Sequence, residues 1–203
     1  MRKFVLTITS MVLVGAGVVL AAFFFLNSGV STTATNSNEP EGFNVPDIGT
    51  SQDEQAAGGP EDKTLTVTVP KMERIKEADI PDAEGDDEEA LKNYAGLHLK
   101  GTGFPWQEEA NVYMAGHRLG YPGTDSFLAF YDQDNIENGD EIYVTDANGK
   151  QYTYRVFENL VVNPTDLWVT EPIAGKNILT LQTCTLPYYS QRLITRAELV
   201  EEV

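Results

Sequence analysis

One thiol, two imidazoles and a few guanidinium groups are the side chains of this chain best suited to covalent chemistry. The thiol is Cys184, the only cysteine in 203 residues. A cysteine attacks a carbonyl as its thiolate, and the thiolate needs a neighbouring imidazolium or guanidinium to support its charge. Cys184 ends the strand-like run Ile178–Thr183, a polar loop containing Pro187 follows, and Arg192 opens the next apolar run eight residues later. If the two runs pair as antiparallel neighbours, the end of one lies beside the start of the other and the guanidinium comes near the thiol. The only histidines are His98 and His117. His117 follows the apolar run Asn111–Ala115 and Gly116, so it stands at a strand end, from which a side chain can reach a shared cleft. His98 lies in Gly96–Lys100, a loop or short strand, and reads as a structural residue. A single cysteine with no further context is as readily an inert buried thiol as a nucleophile.

The elements around these residues read as short strands. Thr64–Val69 alternates apolar and polar side chains until Pro70, as a half-buried strand does. Glu141–Thr145 and Gln151–Phe157 flank Ala147-Asn148-Gly149, a hairpin signal. Asn177–Cys184 and Gln191–Leu199 form two further strands, and the connection Asn159–Lys176 holds Pro164, Trp168 and Pro172. The one helical stretch is Asp86–Tyr94, acidic at its start, with Lys92 four residues after Glu88. Many short strands with little helix predict a mostly β fold, a closed or nearly closed barrel.

Ahead of this domain, Phe4–Leu26 is a run of 23 uncharged residues behind Arg2 and Lys3. It is long enough to span a bilayer, and the positive charges before it predict a cytoplasmic N-terminus with the rest outside. Because Phe23–Leu26 extends the run past Ala21-Ala22, an uncleaved signal-anchor is expected rather than a cleaved leader. Residues 27–62 are rich in Ser, Thr, Asn, Gly and acids, with too little apolar surface to fold, and read as a flexible stalk. The expected organisation is a cytoplasmic tip at 1–3, a transmembrane segment at 4–26, a stalk at 27–62 and a folded domain at 63–203. Arg2, Lys3 and Glu39 are the only charges in the first 39 residues, leaving 12 basic and 30 acidic groups beyond. So acidic a surface repels phosphate backbones and argues against a nucleic-acid partner. Outside the cell, where structural cysteines come in pairs, a single thiol invites a reactive role or an intermolecular disulfide.

Thr180-Leu181-Gln182-Thr183-Cys184 resembles the TLxTC signature of the sortase family, with Arg192 at the usual short distance and Ala115-Gly116-His117-Arg118 upstream. The likeness extends over roughly Lys63 to Val203 and is closest to class E in Asn163–Val169 and Arg192–Leu199. It implies an eight-stranded β-barrel with a few short helices. It also implies Cys184 as nucleophile, His117 as general acid and base, and Arg192 as the group that positions the substrate and stabilises the oxyanion. Thr183 would line the same cleft. The connection after Asn159 would form one wall of the signal-binding groove, with Val162, Leu167, Trp168 and Ile173 as its apolar contacts. The implied reaction cuts the Thr-Gly bond of an LPxTG-like or LAxTG-like signal at the C-terminus of a secreted protein. It then joins that protein to an amine of a peptidoglycan precursor, with no cofactor. Asp166, Glu171 and the acidic run Asp82–Glu89 show no hard-cation spacing, so no metal is expected there.

Other thiol enzymes fit less well. Papain-like peptidases place cysteine before histidine, and L,D-transpeptidases hold the two within a few residues, whereas His117 precedes Cys184 by 67. A pilin-polymerising class C sortase is expected to carry a C-terminal membrane helix and a lid with an Asp-Pro-aromatic motif. The nearest match, Phe104-Pro105-Trp106, lacks the acid. A stalked, non-enzymatic surface binding module would account for the strands and the stalk, but not for TLQTC with Arg192.

Overall fold

The computed structural model describes residues 58–203; the predicted span at 4–26 and all of the stalk before Gly58 lie outside the described residues. Among the described residues no helix is long and apolar enough to cross a membrane. The strands are β1 (Leu65–Thr68), β2 (Ala78–Ile80), β3 (Asp82–Ala83), β4 (Leu97–Leu99), β5 (Ala110–Ala115), β6 (Glu141–Thr145), β7 (Gln151–Val162), β8 (Asn177–Cys184) and β9 (Arg192–Glu202). They form one sheet in the order β2-β1-β6-β7-β9-β8-β5-β4-β3.

The two edges of that sheet are consecutive in the chain. β2 pairs with β1 through Leu65 opposite Ile80, and β3 pairs with β4 through Asp82 opposite His98. Only Pro81 lies between them, so residues 78–83 serve one neighbour with their first half and another with their second. The sheet is thereby closed into a barrel, and counting 78–83 as one bent strand gives the eight strands that the resemblance implies. Proline suits this corner because it has no N–H to leave unpaired, and its carbonyl accepts from the His98 N–H at 2.8 Å.

Where the chain leaves a strand, a local hydrogen bond takes over. Val69 drops out of β1 because its N–H donates to the Ile75 carbonyl at 2.8 Å and its own carbonyl accepts from Met72 at 2.9 Å. At the β6–β7 hairpin, Asp146 Oδ1 accepts from the N–H groups of Asn148 and Lys150, and Gly149 takes the left-handed conformation at φ +85°. That three-residue loop sets Thr145 opposite Gln151. The helix is shorter than predicted: α1 covers Glu88–Asn93, capped by Asp87 Oδ1 accepting from Ala90 N–H at 2.9 Å. Six residues do not hold a helix alone; Ala90 and Leu91 are buried against the barrel.

β7 runs five residues beyond the predicted Phe157, because β9 pairs with it along its whole second half, from Glu158 opposite Arg196 to Val162 opposite Arg192. The β7–β8 connection therefore begins at residue 163 rather than Asn159. Alternation divides the strands between two apolar clusters. The barrel interior takes Val112, Met114, Leu179, Leu181 and Ala197 with Leu65, Val67, Ile142, Val144 and Tyr154. The outer face of the same strands takes Tyr113, Ala115, Val162 and Ile194, covered by Leu91 of α1 and Val169 of the β7–β8 connection.

Candidate active site

β8 and β9 are antiparallel, and their last common pair is Cys184 opposite Arg192. On the far side of β9, Arg192 is also opposite Val162 at the end of β7. Directly opposed residues of an antiparallel pair share a face, so Val162, Arg192 and Cys184 form one row across three strands. The fourth strand is parallel to β8, with Ala115 level with Gln182. Two further bonds keep the chain beyond β5 alongside β8: Gly116 N–H donates to the Gln182 carbonyl at 3.1 Å, and Thr183 Oγ1 donates to the Gly116 carbonyl at 2.8 Å. Continuing the register by two residues sets His117 level with Cys184. By alternation His117, Cys184 and Arg192 fall on the outer face with Ala115 and Ile194, at the end of the barrel.

Gly116 is required at this point. A Cβ there would lie 2.3 Å from the Phe130 ring and 2.8 Å from the Ala95 carbonyl, so any side chain would push the His117 segment off β8. His117 packs against the edge of Tyr121, with ring centroids 5.5 Å apart. The three groups are largely shielded, at 2% exposure for Cys184, 2% for Arg192 and 7% for His117. Arg192 Nη1 donates to the carbonyls of Tyr189 at 3.1 Å and Gln191 at 3.2 Å, so the guanidinium also braces the β8–β9 loop.

Burial sets the protonation of the site. It pushes the Cys184 thiol up, with the Arg192 charge pulling the other way. It pushes the His117 imidazole down from 6.5 to about 4. Both effects follow from the cost of carrying charge away from water. At neutral pH the resting pair is therefore a thiol beside a neutral imidazole, and the arginine supplies the fixed positive charge.

The residues predicted to line a groove separate into three groups. Val162 is buried and belongs to the row. Leu167 and Trp168 begin a 3-10 turn, Leu167–Thr170, at 46% and 47% exposure, and Ile173 is half-buried farther along the connection. Thr183 does not line the outer cleft: alternation turns it to the opposite face from Cys184, fully buried, with its hydroxyl bonded to Gly116. It positions the His117 segment. His98 stands at the barrel closure, with Nδ1 2.7 Å from Asp82 Oδ1 and Nε2 2.9 Å from the Gly103 carbonyl. Among the described residues no group of three or more His, Cys, Asp or Glu could hold a metal ion.

Sequence reasoning missed the residues that pin the 3-10 turn to the outer face. Asn111 Nδ2 donates to the carbonyls of Val169 at 2.9 Å and Glu171 at 3.1 Å, and Arg196 Nη2 donates to Val169 at 3.3 Å. The Arg196 guanidinium lies 4.8 Å from the Trp168 ring centroid. The signal was available in the alternation of β5 and β9, which points polar Asn111 and Arg196 to the same side as Tyr113 and Ile194.

The sortase domain family model matches residues 67–200. This chain belongs to the sortase family. Sortase A of Streptococcus agalactiae is 37% identical over 90 residues, an alignment covering 44% of this chain and 36% of that relative, so the chain spans about a third of that relative's length. Among solved structures, sortase C1 of Streptococcus agalactiae superposes with a TM-score of 0.59 at 28% identity, covering 71% of this chain and 73% of the other. A lid mutant of sortase A from Corynebacterium diphtheriae gives 0.57 at 28% identity, covering 73% and 74%. A sortase D5 transpeptidase of Clostridium perfringens gives 0.55 at 26%, covering 69% and 80%. The barrel and its short helices are thus those of a sortase domain.

Proposed function

We propose that the protein is a membrane-anchored transpeptidase that cuts the Thr-Gly bond of an LPxTG-like or LAxTG-like sorting signal and passes the acyl group to an amine of a cell-wall precursor. The observation that carries this reading is the row of Val162, Arg192 and Cys184 on adjacent strands, with His117 just past the end of the next strand and the family membership of the domain behind it. The uncharged run Phe4–Leu26 supports the anchor and an outward-facing domain. Within the family, the flavour of Asn163–Val169 and Arg192–Leu199 favours class E.

The chemistry follows from the resting protonation. Cys184 attacks the Thr carbonyl as its proton passes to His117, which burial keeps neutral and therefore able to accept. The carbonyl π electrons become an oxyanion beside the Arg192 guanidinium, which is already in place and needs no reorganisation. His117 then returns the proton to the departing glycine amine as the C–N bond breaks, leaving a thioester on Cys184. The incoming amine attacks that thioester, gives a proton to His117, and the C–S bond breaks; the imidazolium returns the proton to the thiolate.

The test is mass spectrometry of the full-length protein with a panel of xPxTG and xAxTG peptides, with and without glycine or diaminopimelate as amine. The expected result is a thioester adduct on Cys184 without amine and an amide product with it, neither of which forms with Cys184→Ala. Peptides that leave Cys184 unmodified across the panel would overturn the reading. Fractionation of cells checks the anchor: the intact chain is expected in the membrane, and a native N-terminus cut near Ala22 would remove the signal-anchor.

A further inference from the structure

His117 opens a loop, residues 117–130, that folds back on its own start: Phe130 N–H donates to the His117 carbonyl at 3.2 Å, and Leu128 N–H to the Leu119 carbonyl at 2.9 Å. Inside those two bonds the chain bends tightly. Gly120 takes the left-handed conformation at φ +59°, and a Cβ there would lie 2.0 Å from the carbonyl oxygen of Ser126, which is wholly buried. The polar groups of the bend converge on Tyr121. Its N–H donates to Ser126 Oγ at 3.2 Å, and its carbonyl accepts from Thr124 Oγ1 at 2.9 Å and from the Thr124 N–H at 3.2 Å. The Thr124 and Ser126 hydroxyls are themselves 2.8 Å apart. With both main-chain polar groups of Tyr121 tied by its own loop, the direction in which its side chain leaves the backbone is fixed.

That direction brings the phenol ring to His117, with centroids 5.5 Å apart and planes at 80°, the T-shaped arrangement that ring quadrupoles favour. Lys92 Nζ of α1 stands 5.6 Å from the Tyr121 centroid, a cation over the same ring. Tyr121 is half-buried, whereas His117 is 7% exposed, so of the two rings it is the tyrosine that meets solvent. Shielding from water is also what disfavours the charged imidazole. The other titratable or charged groups set about His117 are Cys184 of β8 and Arg192 of β9, and the adjoining Arg118 is tied to Asp134 at 2.6 Å.

We infer that Tyr121 is a positioning residue: its ring sets the plane of the His117 imidazole and keeps water from it, an effect on rate that rests on the transpeptidase reading. The imidazole has to take a proton from the Cys184 thiol and give it to the departing amine, and each transfer needs the ring aimed at a donor or acceptor within hydrogen-bond reach. An imidazole free to turn is misaimed for part of the time, and a misplacement of about 1 Å costs on the order of 10²-fold in rate. The tyrosine acts through the flat face and edge of its ring, so phenylalanine serves in its place and alanine does not.

The test compares the full-length protein with Tyr121→Phe, Tyr121→Ala and Lys92→Met by two readings. One is the proton midpoint of His117 from NMR of the imidazole signals, assigned against His117→Gln. The other is the rate of thioester formation on a signal peptide with no amine present, followed across pH. Tyr121→Phe is expected to match the parent in both. Tyr121→Ala is expected to raise the midpoint by about one pH unit or more, from about 4 part of the way back to 6.5. Its thioester rate at pH 7 is expected to fall about tenfold, and the decline of rate on acidification to begin at correspondingly higher pH. Lys92→Met, which removes the nearby charge and leaves the ring, is expected to keep the parent's midpoint. An unchanged midpoint or an unchanged rate in Tyr121→Ala, an equal loss in Tyr121→Phe, or an equal rise of midpoint in Lys92→Met would each overturn the inference. If Tyr121→Ala does not fold, Thr124→Ala, which releases the Tyr121 carbonyl, decides in its place: a higher midpoint with slower thioester formation supports the role, and the parent's value for either one overturns it. A peptide that leaves Cys184 of the parent unmodified strikes at the transpeptidase reading, whereas the His117 midpoint is read without peptide and judges the ring alone.

Discussion

Two buried histidines mark two regions of this barrel with opposite requirements. At the closure, His98 is wholly buried and held at both ring nitrogens, by Asp82 of β3 on one side and by the Gly103 carbonyl, with Thr102 Oγ1 at 3.1 Å, on the other. Its ring also lies against Phe104, with centroids 4.4 Å apart. At the barrel end, His117 sits one residue past a glycine, beside a thiol and an arginine, where burial disfavours its charged form. The first histidine meets acceptors at both nitrogens and fixes the seam that Pro81 turns. The second is placed by register, in surroundings that leave its proton inventory open to change. Burial alone does not tell a structural histidine from a reactive one; the chemistry around it does, a carboxylate and a backbone carbonyl at His98 and the row of Cys184 and Arg192 at His117.

The sharpest way to break this contrast is to truncate each ring. His117→Ala is expected to slow thioester formation by ~10²–10⁴, the range for loss of a positioned acid-base group, while far-UV circular dichroism stays that of the parent. His98→Ala is expected to do the reverse. It strands the Asp82 carboxylate and the Gly103 carbonyl, at a cost of about 1–3 kcal/mol read from chemical denaturation, with the rate per folded molecule close to the parent. Equal losses of rate in the two variants would erase the distinction.

Arg192 is the next test, because it belongs to both kinds of region: it braces the β8–β9 loop and faces Cys184. Arg192→Lys keeps the charge and loses the planar fork. If the guanidinium meets the oxyanion, transfer should fall by ~10²–10³ in single-turnover assays with the fold intact. A rate within a few-fold of the parent would confine Arg192 to the loop.

The elements that carry the site were legible in sequence because their signals are local. Alternation and flanking turns give β8 over Asn177–Cys184, as expected, and Asn148-Gly149 gives the hairpin. What was not legible depends on pairing at a distance. β7 extends to Val162 only because β9 lies beside it, and β2 and β3 are too short to show a period. Alternation along β8 already turns Thr183 to the opposite face from Cys184, but its bond to the Gly116 carbonyl needed β5 laid beside β8.

A pH series sharpens the comparison without touching either ring. The unfolded chain binds a proton at His117 below about pH 6.5, while the folded chain resists until about pH 4. Stability attributable to this group is therefore full above pH 6.5, is lost as pH falls from 6.5 towards 4, and is constant below, a total of roughly 3 kcal/mol. Denaturation curves at successive pH values should show this loss, and His117→Gln should remove it. A slope between pH 6.5 and 4 that is identical in parent and His117→Gln would place the effect elsewhere.

The smallest effect is expected on the front of the row, at Trp168. Half of the ring is exposed and the other half rests on Arg196, which in turn donates to the Val169 carbonyl. A cation–π contact at a partly exposed site is worth about 0.5–1 kcal/mol, so Trp168→Ala should lower stability by about that amount, because Asn111 still pins the turn through Val169 and Glu171. If the ring does nothing more than pack, kcat/KM for the signal peptide should follow the folded fraction and remain near the parent at low temperature. If the turn is the wall that receives the apolar residue of the signal, kcat/KM should fall by ~10–200-fold, as for one apolar contact in a pocket. That loss should appear with leucine at the first signal position and shrink with alanine there, since the smaller side chain has less surface to lose. A loss of the same size for both peptides would mean that Trp168 holds the loop rather than the signal.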